Sequence, residues 1–328
     1  MGIDLNRLKE VHLLKSNGAT WESLGGEPVK SFYHRNKHYL RNIESELEIV
    51  DKKSPDVHWR EYLDHATATQ ELRKKASCNQ SGLTINKSGF SDLDFICLGD
   101  LHFFASGTDH RAIVELTDRI LSHDNLYLVL LGDELETAIN MRNVAEVTSQ
   151  LMPPAIQLKV FESWLNEVKD RVLFATWDNH SSERFEKGAG VDMLGWIKSK
   201  SVPFFDSIGN ATIKVGSQEY FLAATHKLRG KSSINPMAGH ARYMRFDDPT
   251  REIVIAGDSH VCGSGWWYDG GIKRMGVNCG TMNVNSPYAK RYFSLYAQPV
   301  FPVVTLYGKE HNFTAVESLK EWEMYRGL

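Results

Sequence analysis

Five apolar runs in this chain lead directly into residues of the kinds that hold metals or move protons. Leu98-Gly99 is followed by Asp100-Leu101-His102, and Leu131-Gly132 by Asp133-Glu134. Ala175-Thr176-Trp177 is followed by Asp178-Asn179-His180, Ala256-Gly257 by Asp258-Ser259-His260, and Ala223-Ala224-Thr225 by His226. Each piece alone is weak, because an Asp-x-His or a Gly-Asp turn arises often by chance. Together, in order and always at the end of an apolar run, they bring carboxylates, imidazoles and an amide to one place. Uncompensated, such a gathering suffers mutual repulsion and desolvation, and bound cations are the simplest remedy. Oxygen donors mixed with imidazole, without thiolate, favour Mn2+, Fe or Zn2+ and suit two ions that share a carboxylate.

The elements that must position these groups follow from hydrophobic pattern. Leu93 to Leu98, Leu126 to Leu131 and Val172 to Ala175 are apolar throughout, as in strands covered on both faces by helices. Between them, Arg111 to Leu121 carries Ile113, Leu116 and Ile120 at helical spacing, and Pro153 to Val168 reads as a second helix. The pattern predicts an α/β domain whose strands deliver their polar ends to one rim, where open α/β sheets bind ligands. Later segments, Ala211 to Val215, Tyr220 to Ala224, Ile253 to Ile255, Lys273 to Val277 and Val303 to Tyr307, predict a second sheet. The stretch Ser77 to Ser91, with Ser81-Gly82 and Lys87-Ser88-Gly89, reads as a linker and places a boundary near residue 90.

Composition bounds the alternatives. The chain has 328 residues, 38 basic and 41 acidic side chains, and 42% hydrophobic content, which excludes a wholly basic nucleic-acid coat and intrinsic disorder. Its four cysteines, Cys78, Cys97, Cys262 and Cys279, form no CxxC pair and suggest neither a disulfide scaffold nor a thiolate zinc site. No run approaches the roughly 20 apolar residues of a membrane span. The opening MGIDLNRLKE reads as a helix start, and Asn6 fails the myristoylation pattern, so a reducing cytosol without membrane partners is the expected setting.

Charge is uneven. Residues 1 to 41 hold seven basic side chains against four acidic ones, a balance of +3 that leaves −6 for the remainder of a chain at −3. Three short helices are predicted there, with Asn17-Gly18 ending the first, Thr20 capping the second, and Pro28 in the first turn of the third. In the third, Val29, Phe32, Tyr33, Leu40 and Ile43 share one face, while Lys30, Arg35, Lys37, His38 and Arg41 lie off it. Two readings fit: a helix-turn-helix that meets DNA with these basic groups, or a small bundle with a solvated cationic face.

The five blocks resemble the motifs DxH, GDxxD, GNH(D/E), a later His and GHxH of the calcineurin-like metallophosphoesterases, over roughly residues 93 to 308. The stretch His226-Lys227-Leu228-Arg229-Gly230-Lys231-Ser232-Ser233-Ile234-Asn235-Pro236 is similar to that of the bacteriophage and prophage enzymes of the superfamily, with a repair-nuclease branch as the neighbouring option. The resemblance implies a two-sheet β-sandwich flanked by helices over 91–328, and the residue pattern before it gives a helical or linker region at 46–90 and a helix-turn-helix-like segment at 1–45. It implies that Asp100, His102 and His260 hold one metal, that Asp133 bridges, and that Asn179 and His226 hold a second with Asp258 beside them. His180 becomes the histidine that assists the phosphate or the departing oxygen while a bridging hydroxide attacks phosphorus. Arg229 and Lys231 become candidates for substrate phosphate.

Three departures from the family pattern stand out. Asp258 replaces the first His of GHxH and favours harder ions, which orders the expected metals as Mn2+, then Mg2+, Fe or Zn2+. Asp178 replaces the Gly of GNH, with Ser181 in place of the acid that follows, and Glu136 replaces the second Asp of GDxxD. Of the other histidines, His110, His123, His240 and His311 read as surface or supporting groups. Trp266-Trp267-Tyr268 reads as packing, with a base-stacking ledge as the alternative. The expected activity is DNA cleavage by a two-metal nuclease recruited through the amino-terminal helices. A phosphatase or small-nucleotide phosphodiesterase, or a DNA-binding protein with a vestigial site, are the alternatives.

Overall fold

Runs of Val, Leu, Ile and Phe too short for helices and bounded by turn residues build the core of this protein. The computed structural model describes residues 20–36, 82–139, 150–178, 182–190, 199–232, 234–285 and 298–328, with isolated positions elsewhere. The chain divides into two compact units, Met1–Gln70 and Glu71–Leu328.

In the first unit, Thr20 caps a turn through a 3.2 Å bond from Ser23 N to its Oγ1. Helix α1 (Glu27–Asn36) follows, with Val29 buried. Lys30 lies on α1 and pairs with Glu27 at 2.8 Å. The side chain of Arg35, together with Lys37, His38 and Arg41, lies outside the described residues.

The second unit begins with β1 (Leu83–Lys87) and β2 (Asp92–Leu98), then α2 (His110–Ser122), β3 (Leu126–Leu130), α3 (Pro154–Val168) and β4 (Val172–Thr176). Next come α4 (Ser182–Ala189), β5 (Phe204–Phe205), β6 (Gly209–Val215), β7 (Gln218–Thr225), the short α5 (Ala238–Arg242) and β8 (Ile253–Ala256). It closes with β9 (Gly263–Asp269), β10 (Ile272–Asn278), β11 (Val303–Tyr307), β12 (Phe313–Val316) and α6 (Leu319–Arg326).

These strands form two mixed sheets of six. One has the order β1-β6-β7-β8-β10-β9 and the other β12-β11-β2-β3-β4-β5. The expected two-sheet α/β architecture with flanking helices is therefore present. Several details of the sequence reading change: Val303–Tyr307, expected in the second sheet, pairs antiparallel with β2 in the other, and the second amino-terminal helix expected after Thr20 is a turn. Leu83–Lys87, inside the stretch read as linker, pairs in parallel with β6, because its alternating Leu83 and Ile85 can be half-buried on a sheet edge. The rim strands also belong to both sheets: β2, β3 and β4 to one, β7 and β8 to the other.

Alternation along the strands separates the faces. On β8, Ile253 and Ile255 enter the main core, whereas Val254 and Ala256 join a second cluster with Ala223, Leu228, Tyr243 and Met244. In the other sheet, α2 lies against β3 and is tied to α3 by a 3.0 Å bond from Trp164 Nε1 to Thr117 Oγ1. Asp109 caps α2 by accepting the amide of Ala112 at 3.0 Å. No helix among the described residues is long and apolar enough to cross a membrane.

Candidate metal centre

β2 and β3 do not part where their strands end. Asp100 N donates to Gly132 O and His102 N to Asp133 O, both at 2.9 Å, and Phe103 N donates to Glu134 O at 2.8 Å. This extended pairing fixes Asp100 and Asp133 side by side. The loop after β10 holds Asp100 from behind, with its carbonyl accepting Thr281 Oγ1 at 2.9 Å and Met282 N at 3.0 Å.

Five of the residues singled out from sequence adopt left-handed backbone angles: Asp100 (φ 52°), His102 (46°), Asp133 (53°), Asp258 (60°) and His260 (54°). Such a conformation costs a non-glycine residue roughly 1–3 kcal/mol and persists where the surroundings over-determine it. Asp, Asn and His tolerate it best, which suits these positions. The glycines before the acids make room. A Cβ on Gly132, itself at φ 88°, would lie 2.3 Å from Asp178 Cβ, and one on Gly257 would lie 3.0 Å from His226 Nδ1 and 3.2 Å from Asp100 Oδ2.

The side chains converge in two groups that could each hold a cation, Asp100–His102–His260 and Asp100–Asp133–His226. His260 Nε2 lies 3.0 Å from Asp100 Oδ1, and His226 Nε2 lies 3.2 Å from Asp133 Oδ2. Neither Asp100 Oδ1 nor His226 Nε2, both buried, makes a hydrogen bond of acceptable geometry. Both belong to residues of the Asp100–Asp133–His226 group. The opposite ring nitrogens are anchored: His102 Nδ1 is 2.9 Å from Glu136 Oε2, and His226 Nδ1 is 2.8 Å from the carbonyl of Leu131. Anchoring Nδ1–H on an acceptor leaves Nε2 as the donor atom for a metal, the usual arrangement around ligating histidines. The donor set fits divalent cations.

Electrostatics agree. Burial disfavours charge on Asp100, but His260, His102 and His226 outweigh it and hold the carboxyl well below its ordinary range. Burial likewise opposes a charged His102, and Asp100, Glu136 and Asp133 reverse that and raise the ring well above its usual value. At His226, Asp133 foremost overcomes burial and lifts the ring to about 10. Burial moves two further carboxyls up, Glu134 to about 7 and Asp178 well above its usual value, with Asp133 adding repulsion to both. Protons thus supply the compensation these anions need, and a divalent cation would displace them.

Of the sequence-predicted site, Asp100, His102, Asp133, His226 and His260 come together, while Asn179 and His180 lie outside the described residues. The residue common to both groups is Asp100, where the resemblance places Asp133. Asp258 enters neither group: its Oδ2 accepts a hydrogen bond from Lys231 Nζ, and its Oδ1 lies 3.9 Å from His226 Nε2. Lys231, a phosphate candidate in the sequence, is therefore already partnered by Asp258, while Arg229 is exposed. Asp178 stabilises α4, accepting Ser182 N at 3.1 Å and Ser182 Oγ at 3.3 Å, which accounts for an acid where the motif has glycine.

Several supporting groups were not singled out from sequence. Glu134 accepts Gly132 N at 3.0 Å, and Cys279 donates its thiol to Asp100 Oδ2 at 3.4 Å, the thiol kept protonated by burial and by Asp100 itself. Asp133-Glu134 was visible as an acidic pair, but nothing in the sequence ties Cys279 to Asp100. His240, read as surface or supporting, is buried with Nε2 3.1 Å from Val277 O. Trp267 packs on the second cluster, whereas Trp266 and Tyr268 are 66% and 64% exposed, so the packing reading holds for Trp267 alone.

No family model and no curated protein matches the chain. Among solved structures it is similar to Vps29 from Chaetomium thermophilum, at 12% identity and a TM-score of 0.31, over 69% of this chain and 96% of that one. It is also similar to a protein serine/threonine phosphatase from Saccharomyces cerevisiae described as similar to human phosphatase PP5. There the identity is 11% and the TM-score 0.33, over 86% of this chain and 95% of that one. A protein of unknown function from Aquifex aeolicus aligns at 14% identity and a TM-score of 0.25, over 55% and 83%. Scores of this size mark a loose likeness of outline, and the chemistry rests on the side chains.

Proposed function

We propose that this chain is a metal-dependent phosphoesterase of the calcineurin-like kind that hydrolyses phosphodiesters, DNA first among them. The observation that carries the reading is the pair of ligand groups sharing Asp100, with the Nδ1 atoms of His102 and His226 anchored so that Nε2 faces inward. Asp100, His102 and His260 would hold one cation, and Asp100, Asp133 and His226 the other, with Asn179 completing the second as the motif suggests. When bound, two divalent cations supply Lewis acidity that activates water for attack on phosphorus and neutralises phosphoryl oxygens. The protein's part is to hold these donors rigid, through Glu136, the Leu131 carbonyl and the amide of Asp258, which donates to Asp100 Oδ2 at 2.9 Å. His180 would give a proton to the departing oxygen, and the exposed Arg229 would bind a non-bridging oxygen.

DNA is the preferred polymer because the +3 amino-terminal segment shares the chain with this centre. The alternative, a phosphatase or small-nucleotide phosphodiesterase, keeps the same metal centre and gives the amino-terminal segment to oligomerisation or a partner. The test uses full-length protein supplied with Mn2+, Mg2+ or Zn2+, presented with plasmid, linear and single-stranded DNA, RNA, p-nitrophenyl phosphate and bis(p-nitrophenyl) phosphate. Cleavage of DNA that falls steeply with salt, and is lost in Asp133→Ala and His180→Ala, supports the nuclease reading. Hydrolysis of the small esters alone shifts the reading to the alternative. Failure on every substrate, with no metal retained, overturns both.

A further inference from the structure

Asp258 sits at the rim in surroundings unlike those of Asp100 and Asp133. The side chains of Asp100 and Asp133 are 0% and 4% exposed, whereas that of Asp258 is 21% exposed and engaged by ammonium groups. Lys231 Nζ donates to its Oδ2, and Lys227 Nζ lies 3.7 Å from its Oδ1. The same Oδ1 is 3.9 Å from His226 Nε2, so this positive charge stands beside the Asp100–Asp133–His226 group. On the far side of Asp100, by contrast, the ring of His102 is backed by the carboxylate of Glu136.

We propose that Lys231 is a resident counter-ion for Asp258 and makes the two cation positions unequal, a deepening that rests on reading this rim as a metal centre. The Asp100–His102–His260 position takes the tighter ion. At the Asp100–Asp133–His226 position an incoming divalent cation meets the charge of Lys231 and Lys227, and takes Asp258 Oδ1 only in competition with the lysines that hold this carboxylate. An ion pair with a partly exposed lysine is weak, so displacement is accessible, but repulsion between cations a few ångströms apart remains. Together these effects separate the two affinities by about tenfold or more. The aspartate thereby works as a second-ion ligand only at higher metal concentration, a graded loading that a neutral imidazole in its place would not produce.

The experiment is a titration of metal-free, full-length protein with Mn2+, read by calorimetry and by the spin-resonance signal of free Mn2+. Wild type is expected to show two classes of site at least about tenfold apart. Lys231→Met should tighten the weaker class about tenfold and leave the tighter within twofold, and in an Asp258→Asn background Lys231→Met should add less than about twofold. Lys231 is 37% exposed in its side chain, and equal thermal unfolding of the metal-free variants shows that the fold is kept. Two equal sites in wild type, or a weaker class indifferent to Lys231→Met, overturns the proposal and leaves the metal centre standing. No Mn2+ binding at all overturns both.

Discussion

The two halves of the candidate centre share Asp100, pair it with two imidazoles in one and with a second carboxylate and one imidazole in the other, and differ also in what stands behind them. His102 is backed by a buried carboxylate, Glu136, and His226 by a neutral carbonyl, Leu131. The first half is therefore the more anionic at its imidazole, and the second half is bordered by the lysines that hold Asp258. Ligand identity alone does not set how tightly each position holds an ion; the charge one layer out does, because a carboxylate behind an imidazole makes its other nitrogen a better donor.

The largest way to break this contrast is to remove what the halves share. Asp100→Asn keeps the shape of the side chain and removes the charge common to both groups, so bound metal and the hydrolysis of bis(p-nitrophenyl) phosphate should fall by about a thousandfold, as expected when a preorganised charge is lost. Elemental analysis beside the rate measurement checks it, and a variant that keeps two ions refutes the shared role.

Gly132→Ala strikes the second half through packing. Its Cβ would sit 2.3 Å from Asp178 Cβ on a backbone at φ 88°, and left-handed strain plus overpacking should destabilise the fold by roughly 3–4 kcal/mol. Denaturant unfolding measures this; a loss under about 1 kcal/mol means that Asp178 yields easily.

Inside the centre and outside it, pH acts in opposite directions when no metal is bound. His226 titrates near 10 in the folded protein, above its ordinary value near 6.5, so its contribution is complete below about 6.5 and is lost as pH rises through about 10. Metal-free protein should lose stability between pH 7 and 10, and protein loaded with Mn2+ should lose far less. His240, outside the centre, does the reverse: burial holds it near 4, so the unfolded chain takes up its proton first and stability falls by roughly 3 kcal/mol as pH drops from about 6.5 to 4. Thermal melts across pH with His240→Gln as reference separate the two arms, and an unchanged acid arm in that variant refutes the second.

The mildest change is Glu136→Gln, which keeps an acceptor for His102 Nδ1 and removes the charge. Metal affinity at the first half should drop by about 10–100-fold while the second stays within a few-fold. Calorimetric titration resolves the classes, and an equal loss at both shows that Glu136 acts through the shared Asp100.

Much of this was legible along the chain. The Gly-Asp pairs at the ends of β2, β3 and β8 marked the rim, because a ligand that must turn back into a crowded site needs an acid that tolerates left-handed angles and a small residue before it. Strand Leu83–Lys87 escaped because five residues flanked by Ser and Gly carry too little pattern to stand apart from a linker. The pairing of Asp258 with Lys231 escaped because the partners are 27 positions apart, and each reads separately along the chain, Asp258 as a metal ligand and Lys231 as a phosphate contact.

The amino-acid sequence by itself determined which segments become strands and which residue types reach their ends, since periodicity and turn chemistry are local properties of the chain. Only the tertiary structure decided which carboxylate is shared, which imidazole is backed by charge and where the lysines go. Those choices depend on contacts such as Cys279 to Asp100, 179 positions apart, that form when two sheets meet and burial removes the water that would otherwise screen them.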